Sequence, residues 1–188
     1  MDCYITKTGS FLPGEPLLNS DLSSYLGTLD GEEETREKIL RMNGIKSRYY
    51  ALTQEQEATH ANAPLVGPGL SSVLHDRLAK SGLLKREVEI NSNSGICTAS
   101  AQSLVNAIRA VKSGEHESAL SLGIEQPSDI LKSTAIKPVD DRKEHEDVRK
   151  SQWFMSVFLR SMLSDGAGAM VVSNAPVKNE ASFKVNWT

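Results

Sequence analysis

A chain of 188 residues, 39% hydrophobic and 24% charged, has the make-up of a soluble globular domain long enough to bury a core. A formal net charge of −3 and an aromatic share of 5% exclude a dedicated nucleic-acid binder, which shows a basic stripe or a stacking platform. Two cysteines, Cys3 and Cys97, are too few for a disulfide framework and point to a reducing, cytoplasmic compartment. The opening Met1-Asp2-Cys3-Tyr4 has neither a basic region nor a long apolar run, so neither a signal peptide nor a membrane span is expected.

Residues 2–7 read as a short strand ended by Gly9, followed by the turn-rich stretch from Phe11 to Pro16. Asn19 or Ser20 can cap a short helix carrying Leu22, Tyr25 and Leu26, which Gly27 stops. Glu32, Glu33 and Glu34 suit the start of a second helix, with Arg36, Lys38 and Arg41 toward its end and Gly44 as its terminator. After the Pro/Gly segment Pro64 to Gly69, Leu70, Val73, Leu74 and Leu78 mark one face of a third helix, closed by Gly82.

Val88 and Ile90 alternate like a strand, and the small polar run Asn91 to Gly95 predicts a sharp turn. From Cys97 the apolar positions Ala101, Leu104, Val105, Ile108 and Val111 recur at helical spacing, with Gly114 as a C-cap. Ser118 to Ile124 reads as a buried strand. The charge-dense run Lys137 to Lys150 reads as a solvated loop or an exposed helix, with a linker as the alternative. Phe154 to Leu163 predicts a buried helix, Ser164 to Gly168 a tight turn, Ala169 to Val172 a strand, and Phe183 to Trp187 the start of another. Strands and helices interleave, which makes this an α/β protein.

The strongest chemical signal is Cys97, a cysteine at a strand-to-helix turn. Free N–H groups at a helix start carry partial positive charge, which favours the nucleophilic thiolate form of a cysteine. From the residues alone two readings stand, an activated nucleophile or a small buried apolar side chain. Cys3, on a terminal strand, reads as structural. His60, His75, His116 and His145 show no metal-ligand spacing, so no metal site is expected. His145 lies among Glu144, Glu146 and Asp147, which offer it ionic neighbours rather than a site. Asp165 to Ala169 lacks the lysine and hydroxyl of a phosphate loop, so its glycines are read as relieving a crowded backbone. Arg36, Lys38, Arg41, Lys46 and Arg48 form either a solvated, salt-bridged face or a site for an acidic group such as the phosphates of coenzyme A.

Taken in order, Tyr4 to Pro13, Asn43 to Arg48, Ser94 to Ser100 and Leu159 to Ala169 resemble four motifs of the 3-oxoacyl-acyl-carrier-protein synthase III family. The form Phe-Leu-Arg-x-Met-Leu-Ser-Asp-Gly-Ala-Gly-Ala is similar to a subgroup that makes specialised metabolites such as dialkylresorcinols. The resemblance implies a thiolase-like fold of two similar α/β halves, here residues 1–188 as the N-terminal half-domain, with a mixed sheet and a buried helix bearing the cysteine. It implies that Cys97 accepts an acyl group from an acyl-CoA or acyl carrier protein thioester, with its own backbone N–H as an oxyanion donor. Decarboxylative Claisen condensation with a malonyl thioester then follows, in fatty acid or polyketide-like biosynthesis. Coenzyme A and carrier-protein thioesters are substrates, no cofactor is held permanently, and no coenzyme-binding residue is matched, Lys46 and Arg48 included.

Two departures qualify that expectation. The family's catalytic histidine and asparagine come from its second half, and none of the four histidines here lies in a matching motif. Near residue 63, Thr59 to Ala63 runs directly into Pro64 to Leu70, where relatives place a helix and a strand, so an unpaired sheet edge is expected. The chain alone is therefore expected to be incomplete for condensation. Its expected association is a homodimer, or a complex with a C-terminal half or a complete relative, and a truncated copy acting as a pseudo-subunit is the alternative. An unrelated cysteine hydrolase would need a base from within this chain.

Overall fold

The computed structural model describes residues 1–53, 69–132 and 140–187. The chain folds as two compact units, one of Met1–Phe11, Ala63–Ile124 and Ala167–Thr188, the other of Leu12–Asn62 and Glu125–Gly166. The junction near residue 63, His60 and the segment 133–139 lie outside the described residues.

In the first unit, β1 (Tyr4–Phe11), β4 (Ser118–Glu125), β5 (Gly166–Ser173) and β6 (Phe183–Lys184) form a four-stranded sheet in the order β4-β5-β1-β6. β1 runs antiparallel to β5, from Tyr4 opposite Ser173 to Phe11 opposite Ala167, and antiparallel to β6 at Tyr4 and Ile5. Helix α4 (Ala99–Ser113) buries Ala107, Ile108 and Val111 among Cys3, Val172 and Val185. Cys3 is therefore a core residue, as its place in the sequence predicts, and burial pushes its thiol up. Gly114 ends α4 in the left-handed region, at φ +84°. The burial expected of this helix belongs to its C-terminal half, whereas its first turn is exposed. Helix α3 (Leu70–Lys80) forms where its apolar spacing predicts, with no fully buried residue.

One expected strand is absent. Val88 and Ile90 lie in irregular backbone between α3 and α4, each 41% exposed. Their alternation describes a two-faced segment, but a strand exists only where a neighbour completes its ladder. The glycine-rich turn also differs: β5 already begins at Gly166, and neither Gly166 nor Gly168 has a positive φ. No helix among the described residues is long and apolar enough to cross a membrane.

The second unit is held by helices. A two-stranded sheet pairs β2 (Leu17–Leu18) with β3 (Ser47–Arg48), flanked by α1 (Leu22–Leu26) and α2 (Glu33–Met42). Leu22, Leu26, Leu40 and Leu131 form one core, the last from α5 (Ser128–Leu131). Ile39 of α2 meets Trp153 and Val157 of α6 (Gln152–Met162) in another. Part of the run expected as a solvated loop starts α6. Asp141 is buried, and its carboxylate accepts from the N–H groups of Gln152 (2.9 Å) and Trp153 (3.1 Å), while Ser151 Oγ accepts from Phe154 N (3.0 Å). Three N–H groups that a helix start leaves unpaired are thereby satisfied. His145 takes Asp141 as its partner (3.2 Å) rather than its sequence neighbours.

Asp165 closes this unit. It is 2% exposed, and its carboxylate accepts from Ala51 N (2.7 Å) and Ser128 N (2.9 Å), while its own N–H donates to Tyr49 O (2.8 Å). One side chain thus joins three separate stretches of sequence. Asp165→Ala orphans two amides and is expected to cost about 2–4 kcal/mol of unfolding free energy in urea titrations, with Asp165→Asn losing less. A second expectation concerns pH. Hydrogen bonds from the Gln152 and Trp153 amides hold the Asp141 carboxyl below the usual carboxylate range. Its stabilising contribution is thus present above the ordinary carboxylate pKa and lost as pH falls through the lowered one. Thermal midpoints should show Asp141→Asn less stable than wild type at neutral pH, the gap closing in acid.

Candidate functional site

Cys97 sits in a 3-10 turn, Ile96–Thr98, that leads directly into α4. Its thiol is exposed and free, which removes the buried-apolar reading. The turn is closed by Thr98 N donating to Gly95 O (3.0 Å), and Thr98 Oγ1 donates to the same carbonyl (2.7 Å). Gln102, one helical turn on, donates from Nε2 to Thr98 Oγ1 (3.2 Å). A Cβ at Gly95 would lie 2.8 Å from Thr98 Oγ1 and 3.1 Å from Gln102 Nε2. A side chain at position 95 would therefore force Thr98 and Gln102 to shift. The N–H groups of Ile96 and Cys97 precede the first bonded amide of the turn, as at any helix start.

Behind the turn, strand β4 approaches α4 through small side chains. Ser121 Oγ donates to Ser103 Oγ (3.1 Å), and Ala119 packs beside the core formed by Ile108 and Val111. A Cβ at Gly123 would overlap Ser100 Oγ and lie 2.8 Å from Ser100 Cβ. Alternate residues 119, 121 and 123 thus face the helix and set its distance from the sheet. The segment ahead of the cysteine is tied by side chains instead of a ladder: Asn106 Nδ2 donates to Asn93 Oδ1 (2.8 Å), and the Ser71 and Ser92 hydroxyls are hydrogen-bonded. Along the outer face of α4, Thr98, Ala101, Gln102, Val105, Asn106 and Arg109 line an open groove of about 340 Å³.

The histidines are placed elsewhere. His75 is on α3, His116 contacts Glu89 Oε2 (2.9 Å), and His145 lies in the second unit with Asp141. Among the described residues no group of three or more His, Cys, Asp or Glu is arranged to hold a metal ion.

The basic cluster divides. Arg36 Nη1 pairs with the buried Glu32 (2.6 Å), so the salt bridge forms but not on a solvated face. Arg48 is only 1% exposed, its Nη1 donating to Asn19 Oδ1 (3.2 Å). Arg48 thus fits neither the solvated face nor a surface site for phosphates, because its guanidinium is packed inside the second unit. Arg160, which the sequence reading passes over, is buried there as well, and burial lowers both guanidinium pKa values. Tyr50 nearby is pushed up to about 12 by burial.

Thr98, Gln102, Ser100, Ser103 and Gly123 are the residues that sequence reasoning missed. The i, i+4 spacing of Thr98 and Gln102 and the small side chains alternating along β4 were the available signals. Gly123→Ala is expected to cost about 1–3 kcal/mol by overpacking this seam. Chemical denaturation measures it, and a Ser100→Gly change in the same protein should recover part of the loss.

No family model matches the chain. Among solved structures, the C-terminal type III polyketide synthase domain of Steely1, a type I/III hybrid from Dictyostelium, aligns with a TM-score of 0.66 at 16% identity, over 97% of this chain and 59% of its own. AbyA1, a tetronic acid condensing enzyme, aligns with a TM-score of 0.62 at 19% identity, over 95% of this chain and 56% of its own. The 3-oxoacyl-(acyl carrier protein) synthase III FabH from Pseudomonas aeruginosa PAO1 aligns with a TM-score of 0.57 at 19% identity, over 97% of this chain and 55% of its own. The chain thus spans little more than half the length of these structures. Within that span, it has the thiolase-like α/β fold of the 3-oxoacyl synthase III and type III polyketide synthase structures.

Proposed function

We propose that this chain is the acyl-accepting part of an acyltransferase of the 3-oxoacyl-acyl-carrier-protein synthase III type, with Cys97 as nucleophile. The observation that supports it is an exposed, free cysteine at the start of the core-packed helix α4 of a thiolase-like fold. In the proposed step Cys97 loses its proton to solvent and Sγ attacks the carbonyl carbon of an acyl-CoA or acyl carrier protein thioester. An Sγ–C bond forms, the C–S bond to the carrier breaks, and the departing thiolate takes up a proton. In this reading the backbone N–H of Cys97 donates to the oxygen that carries the developing charge.

The later condensation needs further donors for an enolate oxygen. His75, His116 and His145 sit on other elements, His116 and His145 against carboxylates, and supply none at the cysteine turn. The chain is read as capturing the acyl group and depending on further residues for carbon–carbon bond formation. A second reading, a pseudo-subunit of a complete relative, is favoured by the exposed apolar side chains Leu120, Ile124 and Phe183 of the first unit.

Intact-mass spectrometry after incubation with acetyl-, butyryl- or longer acyl-CoA should show one acyl adduct, mapped to Cys97 and absent in Cys97→Ser. With malonyl carrier protein added, the 188-residue chain alone should release no 3-oxoacyl product. An unmodified Cys97 across the acyl-CoA series would sink the acyl-acceptor reading, and product formed by the chain alone would sink the claim of dependence.

A further inference from the structure

We propose that Thr98 and Gln102 form a hydrogen-bond relay that positions Cys97 for acyl transfer, a role resting on the acyl-acceptor reading above. The relay runs Gln102 Nε2 to Thr98 Oγ1 (3.2 Å) and Thr98 Oγ1 to Gly95 O (2.7 Å). It spans the two residues between Gly95 and Thr98, Ile96 and Cys97, so it fixes the turn that carries the nucleophile. Gly95 O receives two donors, the Thr98 amide and the Thr98 hydroxyl. The hydroxyl in turn is oriented by Gln102, because a hydroxyl that accepts from one side points its hydrogen to the other.

Space supports the same assignment. Thr98 Oγ1 and the Gln102 amide crowd the position a Cβ would take at Gly95, and a side chain there would displace both. Thr98 and Gln102 also line the open groove on this face of α4, together with Ala101 and Val105. Cys97 and Thr98 are both exposed, so the geometry of the turn depends on these bonds more than a buried turn's would.

Thr98 and Gln102 are positioning residues, acting through Cys97. Loosening the turn lets the Cys97 N–H swing away from the carbonyl oxygen it must meet, which slows the chemical step and leaves thioester binding unchanged. The variants are Thr98→Val, which keeps the shape without the hydroxyl, Thr98→Ser, which keeps the hydroxyl, and Gln102→Leu, which removes the donor. Acylation of the full chain by acyl-CoA, followed by intact mass at several concentrations, separates maximal rate from half-saturation. Thr98→Val and Gln102→Leu should each lower the maximal rate about threefold to tenfold with half-saturation unchanged. Thr98→Ser should stay within about twofold of wild type, since the hydroxyl bond is retained.

Amide hydrogen exchange at Thr98 separates the relay from the acyl-acceptor reading, because it needs no thioester. Loosening the turn opens the bond from Thr98 N to Gly95 O, so Thr98→Val and Gln102→Leu should each speed exchange about threefold to tenfold, with Thr98→Ser within about twofold of wild type. If wild type fails to acylate, the acyl-acceptor reading falls and the exchange rates still decide the relay. Thr98→Val exchanging as slowly as wild type, or Thr98→Ser as fast as Thr98→Val, overturns it. Unchanged thermal midpoints confirm that the compared proteins are folded alike.

Discussion

The close approach of Gly123 to Ser100 is the constraint on which the first unit's site depends. Layers that interleave ordinary side chains stand about 10 Å apart, as two stacked sheets do. Here β4 offers Ala119, Ser121 and Gly123, and α4 answers with Ser103 and Ser100, so the two backbones are close at the helix start and the contact is polar. The apolar packing that fixes α4 lies at its other end, around Ile108 and Val111. One end of the helix is thus anchored by burial and the other by contact of small side chains. That leaves the first turn, with Cys97, held in place without being covered.

The second unit solves a different problem. Its interior holds Asp165, Arg48 and Arg160 beside leucines and aromatic rings, and buried polar groups cost free energy unless they are bonded. Asp165 meets that demand through backbone amides rather than a cation, so the Ser-Asp-Gly segment acts as a splice between three pieces of backbone. Tyr25 and Tyr50 stack at 4.2 Å over the same region, and Tyr25 Oη donates to Leu52 O (2.6 Å). The resemblance of Leu159 to Ala169 to a known motif is therefore matched by structural work that any chain with this turn would need.

Much of the fold was legible because its signals are local. Leu22, Tyr25 and Leu26 before Gly27, the glutamates opening α2, and the spacing of Leu104, Ile108 and Val111 each encode an element in a handful of neighbours. What was not legible depends on partners far along the chain. Val88 and Ile90 alternate as a strand does, yet no ladder forms there. Arg48 looks like one more charge in a basic run until β3 carries it beside Asn19 and into the interior. Asp141 looks solvated until the chain returns at Gln152 and aims two amides at it. At the site the cysteine and its helix were readable, whereas the Thr98–Gln102 relay depends on side-chain directions that spacing only permits.

The geometry also divides the chemistry. Capturing an acyl group takes a sulfur and donors for one oxygen, and all of these fit within a single turn and the amides that open a helix. Forming a carbon–carbon bond takes a second set of donors aimed at a different oxygen, and these cannot come from the same turn without competing for the same space. On the proposed reading they reach Cys97 from outside α4. The outer face of the helix, from Thr98 to Arg109, is an open groove among the described residues, with Ala101 and Val105 as its apolar centre. The inner face is already occupied by the sheet. On the acyl-acceptor reading, a group that completes the site has this open side to approach from, along the face of α4 that carries Thr98 and Gln102.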